Sequence, residues 1–384
     1  MPTEKLFRTD PYMKKFSATV LSCEEKNGKF LIELDKTCFY PEGGGQNSDI
    51  GTLGSAIVSE VHEKDEVILH YCDCPLEIGS EVCGEIDWQH RFSLMQHHTG
   101  EHIVSGIVNR LHGLDNVGFH MGSAMVTVDF NGELDREQID EIELLANRAV
   151  FANIAINESY PSPEELAVLE YRSKKALTGE VRIIEIPDID RCACCGTHVA
   201  RTGEVGLIKL LSPTRNKGGI RIGILCGERA LNDYRQKDND TAEISRLLSA
   251  KQHETPQAVR RVMAQLEETK AALSTAQAKL FEERLKTIDL TSPAVCLFEE
   301  GLIPNDLRKF GCLLQEKCSG IAALFSGEDG NYRYAIAAKE GDARIVSKEM
   351  HGVLGGKGGG QKELTQGSVP ASRKDIERFF STFE

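Results

Sequence analysis

A chain of 384 residues, 40% hydrophobic and 27% charged, is long enough for two to four domains with apolar cores and excludes a mainly disordered polypeptide. No run approaches the roughly 18 consecutive apolar residues of a membrane span. Met1-Pro2-Thr3-Glu4-Lys5 lacks the apolar stretch of a secretory signal, so a cytoplasmic protein with no membrane partner is expected. The net charge of −14 argues against non-specific adhesion to nucleic acid, yet residues 201–235 carry 7 basic and 3 acidic residues, against 8 and 17 in residues 1–90. Twelve cysteines in a reducing compartment read as buried, metal-bound or reactive thiols, and Cys192, Cys194 and Cys195 crowd within four positions.

Taken in chain order, alternating runs such as Phe30-Leu31-Ile32-Glu33-Leu34 and Ile57-Val58-Ser59-Glu60-Val61 predict a small β-barrel-like domain over 1–88. Inside it, Phe39-Tyr40-Pro41-Glu42-Gly43-Gly44-Gly45-Gln46 places three glycines in a row, where the backbone can take positive φ or admit a close neighbour. From Gln89 to about Leu111 the period becomes helical, with Phe92, Met95, His98, His102 and Ile103 near one face. Strand character returns over Val117 to Phe130, and Asp135 to Ala152 is an amphipathic helix. Residues 89–238 thus form a second, α+β domain. Residues 239–288 form a helical connector in which Val259, Leu266, Leu273 and Leu280 recur every seven positions, with a weak second seam at Val262, Thr269 and Ala276. Such a helix packs on its own protein or on a twin copy. Residues 289–384 read as a compact C-terminal α/β domain with a Gly-rich loop. The whole chain is α+β.

The chemistry concentrates in two short motifs. His98 and His102 are one helical turn apart and can present two imidazoles to one ion, while Cys194-Cys195-Gly196-Thr197-His198 can close a thiolate and a third imidazole onto it from a turn. Three nitrogens and one sulfur suit tetrahedral Zn²⁺, although Cys192 and Cys195 compete with Cys194 for the sulfur position. A different reading uses His98-Thr99-Gly100-Glu101-His102 as the H-x-x-E-H pattern of a zinc protease, with Glu101 as base. That site needs a further carboxylate ligand and a position open to water, both of which the Cys/His pair would fill. A third reading is a binding module with a purely structural zinc.

The Phe39–Gln46 motif, the His98/His102 pair and Cys194-Cys195-Gly196-Thr197-His198-Val199-Ala200-Arg201-Thr202-Gly203-Glu204-Val205-Gly206 together resemble, in the same order, the editing domain of alanyl-tRNA synthetase and its free-standing AlaX relatives. Gly355-Gly356-Lys357-Gly358-Gly359-Gly360-Gln361 is similar to the Gly-rich loop of the synthetase's C-terminal domain, which points to the long form of that family. The resemblance implies a trans-editing hydrolase that deacylates mischarged tRNA(Ala), chiefly seryl-tRNA with glycyl-tRNA as a second substrate. It places zinc on His98, His102, Cys194 and His198, and Gln46 beside the editing pocket. The family's usual Cys-Gly-Gly-Thr-His is here Cys-Cys-Gly-Thr-His.

Zinc can either activate a bound water or hold the substrate; if it keeps all four protein ligands it orients the ester, and Gln46 or nearby amides would position the attacking water. Telling serine from alanine means reading one hydroxyl, for which Thr127 is the candidate, with His120 lining the pocket. Glu101 is expected on the exposed side of the helix and His97 in a structural role. Arg201, Lys209, Arg215, Lys217 and Arg221 are the candidates for acceptor-stem phosphates. The connector and C-terminal domain are candidates for a homodimer contact.

Overall fold

The structure, a computed structural model, describes residues 2–122, 125–173, 179–216 and 218–383. Its described chain is mixed α+β and divides into two compact units, Met1–Glu243 and Ile244–Glu384.

In the first unit β1 (Lys15–Lys26), β2 (Lys29–Leu34), β3 (Gly51–Leu53), β4 (Ala56–Lys64), β5 (Val67–Cys72) and β6 (Glu81–Ile86) close in the order β1-β2-β5-β4-β3-β6. Alternation turns Val20, Ile32, Leu34, Leu53, Val58, Val61 and Ile68 inward. Each fully buried aliphatic chain contributes about 1.5–3 kcal/mol. Asp87 caps α1 (Trp88–His112) by accepting from the His90 N–H at 3.0 Å, and Gly113 ends it in the left-handed conformation.

The sheet that receives α1 runs β12-β14-β8-β7, built from β7 (Asn116–Met121), β8 (Val126–Phe130), β12 (Ile208–Leu210) and β14 (Gly219–Cys226), with β13 (Thr214–Asn216) also pairing β14. Met95, Ile103, Val104 and Ile107 of α1 pack on Val128, Phe130, Ile222 and Ile224 of the sheet. Ile139, Ile142 and Ala146 of α2 (Arg136–Ala152) close the same core. A separate three-stranded sheet, β9 (Asn157–Ser159), β10 (Ile183–Ile186) and β11 (Asp190–Ala193), leads into the Cys194 turn. β14 is followed in the chain by α3 (Gly227–Leu247).

The second unit opens with α4 (Thr255–Leu285), followed by the sheet β15-β16-β17-β19-β18. Its strands are β15 (Ala294–Phe298), β16 (Ile321–Glu328), β17 (Asn331–Ala338), β18 (Lys357–Gly360) and β19 (Leu364–Val369). One face of that sheet, through Phe325, Tyr334 and Ile336, packs on α6 (Ala343–Leu354) and α7 (Arg373–Phe380). The other, through Leu324, Ala335 and Ala337, packs on α5 (Pro304–Lys317) and the end of α4. Only Ala258, Phe281 and Leu285 of α4 are buried; the seam residues Val259, Val262, Leu266, Leu273 and Leu280 are exposed.

Candidate metal centre

Two distant segments meet at the middle of α1. Gly44 and Gly45, both at positive φ, form a tight turn in which Gly43 and Gln46 exchange backbone hydrogen bonds of 3.1 and 3.0 Å, and this aims the Gln46 side chain inward. The barrel loop is fixed to α1 by a fully buried ion pair. Arg91 donates through Nε to both oxygens of Asp49 at 2.8 and 2.9 Å and through NH2 to the Cys38 carbonyl, and Asp49 also accepts from the Tyr40 N–H. From the other side comes the Cys194 turn. Its Gly196 lies so close to the His98 ring that a Cβ there would fall 2.1 Å from the imidazole, so only glycine fits.

His98, His102, Cys194 and His198 converge with all four donor atoms within 4.8 Å of one another. Cys194 Sγ is 3.3 Å from His98 Nε2 and 3.4 Å from His198 Nε2. Tetrahedral zinc with ordinary Zn–N and Zn–S bonds would separate nitrogen from sulfur by about 3.5 Å, so the spacing fits the ion without rearrangement. Every imidazole is also held from behind. His98 Nδ1 donates to Gln46 Oε1 at 2.7 Å and His102 Nδ1 to Asp190 Oδ2 at 2.9 Å, while His198 Nδ1 lies 3.2 Å from Thr99 Oγ1. Such partners fix tautomer and ring orientation so that Nε2 faces the cluster.

The electrostatics agree with that donor set. Burial works against ionising Cys194, but His98, His198 and His102 outweigh it and hold the thiol well below its ordinary value. Burial pushes His198 down to about 3, keeping it the neutral imidazole that a metal requires. His102 is driven down by burial yet raised above its ordinary value by Cys194 and Asp190. A metal ion held by the four side chains would supply positive charge beside the same thiolate. Asp190, which burial alone would raise, is held below the usual carboxylate range by His102 and by Arg172, whose guanidinium donates to both its oxygens at 2.7 and 2.9 Å.

Among the neighbouring thiols, Cys195 is exposed, and Cys192 is buried with its thiol pushed up to about 11, chiefly by burial. Cys192 does group with His102 and Asp190, but Asp190 there already faces the Arg172 cation. Arg182 secures the turn by donating to the carbonyls of Cys194 and Gly196 at 3.2 and 2.7 Å.

Gln46 is completely buried: its oxygen accepts from His98 and from the Thr197 N–H at 3.1 Å, and its Nε2 donates to Thr197 Oγ1 at 2.8 Å. A carboxamide has one N–H beyond these. His97 is structural, its Nδ1 donating to the Ser93 carbonyl and its Nε2 accepting from the Cys226 N–H.

Two expectations need correction. Thr127 pairs with His120 across β8 and β7, and the pleat turns both to the face opposite Phe119 and Val128. Phe119 is the residue whose ring lies 5.4 Å from that of His98, so neither Thr127 nor His120 lines the cluster. Glu101 is buried rather than exposed, because α1 is enclosed on all sides over this stretch. Four of the five basic candidates after the turn have partners within the protein. Lys209 pairs with Glu143 at 2.7 Å, Arg221 with Asp129 at 2.6 Å and Arg215, almost fully exposed, with Glu133 at 3.8 Å, while Arg201 donates to the Asn153 carbonyl. Lys217 lies outside the described residues. Sequence reasoning missed Asp49, Arg91, Thr99, Phe119, Arg172, Arg182 and Asp190 as partners: several hold side chains distant in sequence, as Asp190 holds His102 and Thr99 lies against His198, and no local pattern marks such pairs.

Fold and cluster together define an α+β protein with a buried, metal-competent His/Cys centre. Residues 181–222 match the family model of the threonyl and alanyl tRNA synthetase second additional domain, and residues 9–90 match that of class II (A) tRNA synthetases. The chain is 29% identical over 392 residues to the alanyl-tRNA editing protein AlaX-L of Pyrococcus horikoshii, covering 97% of this chain and 96% of that protein. It is 30% identical over 394 residues to the alanine–tRNA ligase of Methanobrevibacter smithii, covering 96% of this chain but 44% of the ligase. The chain thus spans less than half the length of that ligase. Among solved structures, the C-Ala domain of Aquifex aeolicus alanyl-tRNA synthetase aligns with 24% of this chain and 96% of its own, at 21% identity and a TM-score of 0.21. Likeness to the long-form alanyl-tRNA editing proteins therefore runs over nearly the whole sequence.

Proposed function

We propose that the protein is a trans-editing hydrolase that releases serine, and secondarily glycine, from mischarged tRNA(Ala), with zinc held by His98, His102, Cys194 and His198. The observation that carries this reading is the convergence of three back-anchored imidazoles and one thiolate beside the Gln46 turn, in a chain similar throughout to a protein named for alanyl-tRNA editing. We divide the chain into a barrel domain (1–88), an editing domain (89–238), a helical connector (239–288) and a C-terminal α/β domain (289–384), the last two being the surfaces for a homodimer. The setting is the cytoplasm; no helix among the described residues is long and apolar enough to cross a membrane.

Bound zinc supplies fixed positive charge and Lewis acidity at the aminoacyl ester. The chain's own residues bind and orient. Gln46 ties the barrel loop to His98 and to Thr197 at once and has an N–H to offer a water, Asp190 and Thr99 hold the other two rings, and Phe119 walls the His98 side. Hydrolysis adds one water across the ester and yields the free amino acid and a tRNA with its terminal ribose hydroxyl restored. Arg215, almost fully exposed, and Lys217 are the proposed acceptor-stem contacts, with Arg201, Lys209 and Arg221 as further candidates. The protease reading is disfavoured because Cys194 and His198 take the places that it needs open.

Incubation with seryl-, glycyl- and alanyl-tRNA(Ala), with and without chelator, tests the proposal. Metal-dependent release of serine with survival of the alanyl ester supports it. A protein that binds these tRNAs yet leaves every ester intact is instead a binding protein with a structural metal.

A further inference from the structure

Arg182 immediately precedes β10 and grips Cys194 from both ends. Its backbone carbonyl accepts from the Cys194 N–H at 3.1 Å, which carries the pairing of β10 with β11 one residue beyond Ile183 and Ala193. Its guanidinium reaches the other side of the same residue, where NH1 donates to the Cys194 carbonyl at 3.2 Å and to the Gly196 carbonyl at 2.7 Å. NH2 donates to Glu158 Oε2 at 2.6 Å, and the Tyr160 hydroxyl donates to the other oxygen of that carboxylate at 2.9 Å. The arginine side chain is 11% exposed, so these charge-assisted bonds form largely out of water.

The contacts set the phase of the turn. With the carbonyls of residues 194 and 196 drawn to one nitrogen, the peptide between them is held so that the Gly196 N–H donates to Cys194 Sγ at 3.4 Å. A hydrogen bond donated to sulfur favours the thiolate that a metal needs. The same sulfur lies 3.3 Å from His98 Nε2 and 3.4 Å from His198 Nε2, while the thiol of Cys195, one residue on, is exposed. A turn displaced by one residue would therefore withdraw the sulfur from the cluster.

Resting on the metal-ligand reading above, we propose that Arg182 is a positioning residue of the metal centre, its guanidinium fork holding the Cys194 turn so that the sulfur stands at the ligand position, with Glu158 bracing the fork from β9. Arg182 is not itself a ligand, because a guanidinium has donors and no acceptor. Lysine cannot take its place: an ammonium on a flexible stem does not present donors in one fixed plane to two carbonyls and a carboxylate.

The test compares the full chain as wild type, Arg182→Lys, which keeps the charge, Glu158→Gln, and Arg191→Lys, a control on an arginine of the same three-stranded sheet that pairs with Glu185 and not with the turn. Zn²⁺ affinity is measured by competition with a chromophoric chelator, and the sulfur-to-metal charge-transfer band is read per bound ion in the Co²⁺-loaded chains. Arg182→Lys should weaken Zn²⁺ by about 10- to 100-fold and lower the band; Glu158→Gln should act in the same direction by a smaller factor, and Arg191→Lys should leave affinity within about twofold of wild type. Because the band is counted per bound ion, partial unfolding, which removes whole sites, does not alter it. Wild-type affinity and band in Arg182→Lys overturn this inference alone, as does a loss of affinity with the band per ion unchanged. A wild-type chain that binds no divalent ion overturns the ligand reading and this inference with it.

Discussion

The two compact units solve different problems with similar materials. In Ile244–Glu384 the sheet alternates strictly, Phe325, Tyr334 and Ile336 to one helical layer and Leu324, Ala335 and Ala337 to the other, and its interior is almost wholly apolar. In Met1–Glu243 the centre of α1 is buried with equal thoroughness, yet it carries His97, His98, Thr99, Glu101, His102 and Ser105. The first unit therefore depends on polar partners from segments far apart in sequence, while the second depends on surface removed from water; the proposed ion would make the stability of the first sensitive to metal as well as to pH.

The sharpest way to break this contrast is to remove a proposed ligand. His102→Ala should lower Zn²⁺ affinity by about a thousandfold or more and abolish deacylation. In differential scanning calorimetry of the full chain only the transition of the first unit should move. A shift of both transitions, or of neither, would remove the distinction. Next in size is the buried Arg91–Asp49 pair that fastens the barrel loop to α1. Arg91→Leu strands the carboxylate and should destabilise the first unit by about 3–5 kcal/mol in denaturant titration, whereas charge removal on the exposed face of α4 should do nothing comparable.

A smaller effect comes from pH. His70 in the barrel is fixed as a neutral ring, its Nδ1 donating to the Ile32 carbonyl and its Nε2 accepting from Thr37, and burial pushes it from its ordinary 6.5 down to about 4. As pH falls the unfolded chain takes the proton first, so the contribution of His70 is complete above about 6.5 and is lost as pH drops towards about 4. The loss is about 3 kcal/mol at most and is confined to the first unit. A His70→Gln chain should show a flatter stability profile across that window in urea titrations at stepped pH. Smallest of all, Leu273→Glu on the exposed seam of α4 should change chain stability by less than about 0.5 kcal/mol while shifting the sedimentation coefficient towards the monomer. A wild-type chain already monomeric at high concentration would refute the dimer proposed for the connector.

What the sequence disclosed follows the same line. Helical spacing brought His98 and His102 to one side of a helix, and strand alternation announced an α+β chain, because both are short-range periodicities. Glu101 was misjudged for a long-range reason: whether a helix face meets solvent is decided by the barrel loop, the sheet and β11 packed around it. Thr127 was misjudged by one step of pleat, since its neighbours Val126 and Val128 are the residues that face α1, and one residue of phase reverses the side chain. The ion pairs made by the basic run after the Cys194 turn were not legible because Glu143, Glu133 and Asp129, which pair with it, stand up to about ninety residues away. Asp190 stands only four residues before Cys194, yet its role depends on the turn of α1 that carries His102.

X-ray absorption at the zinc K-edge on the purified full chain tests the central claim most directly. The account predicts one zinc per chain in a shell of three nitrogens at about 2.0 Å and a single sulfur at about 2.3 Å, with the sulfur contribution lost in Cys194→Ser and kept in Cys192→Ser and Cys195→Ser. A shell containing two sulfurs, a sulfur that survives Cys194→Ser, or a chain that retains no metal would contradict it.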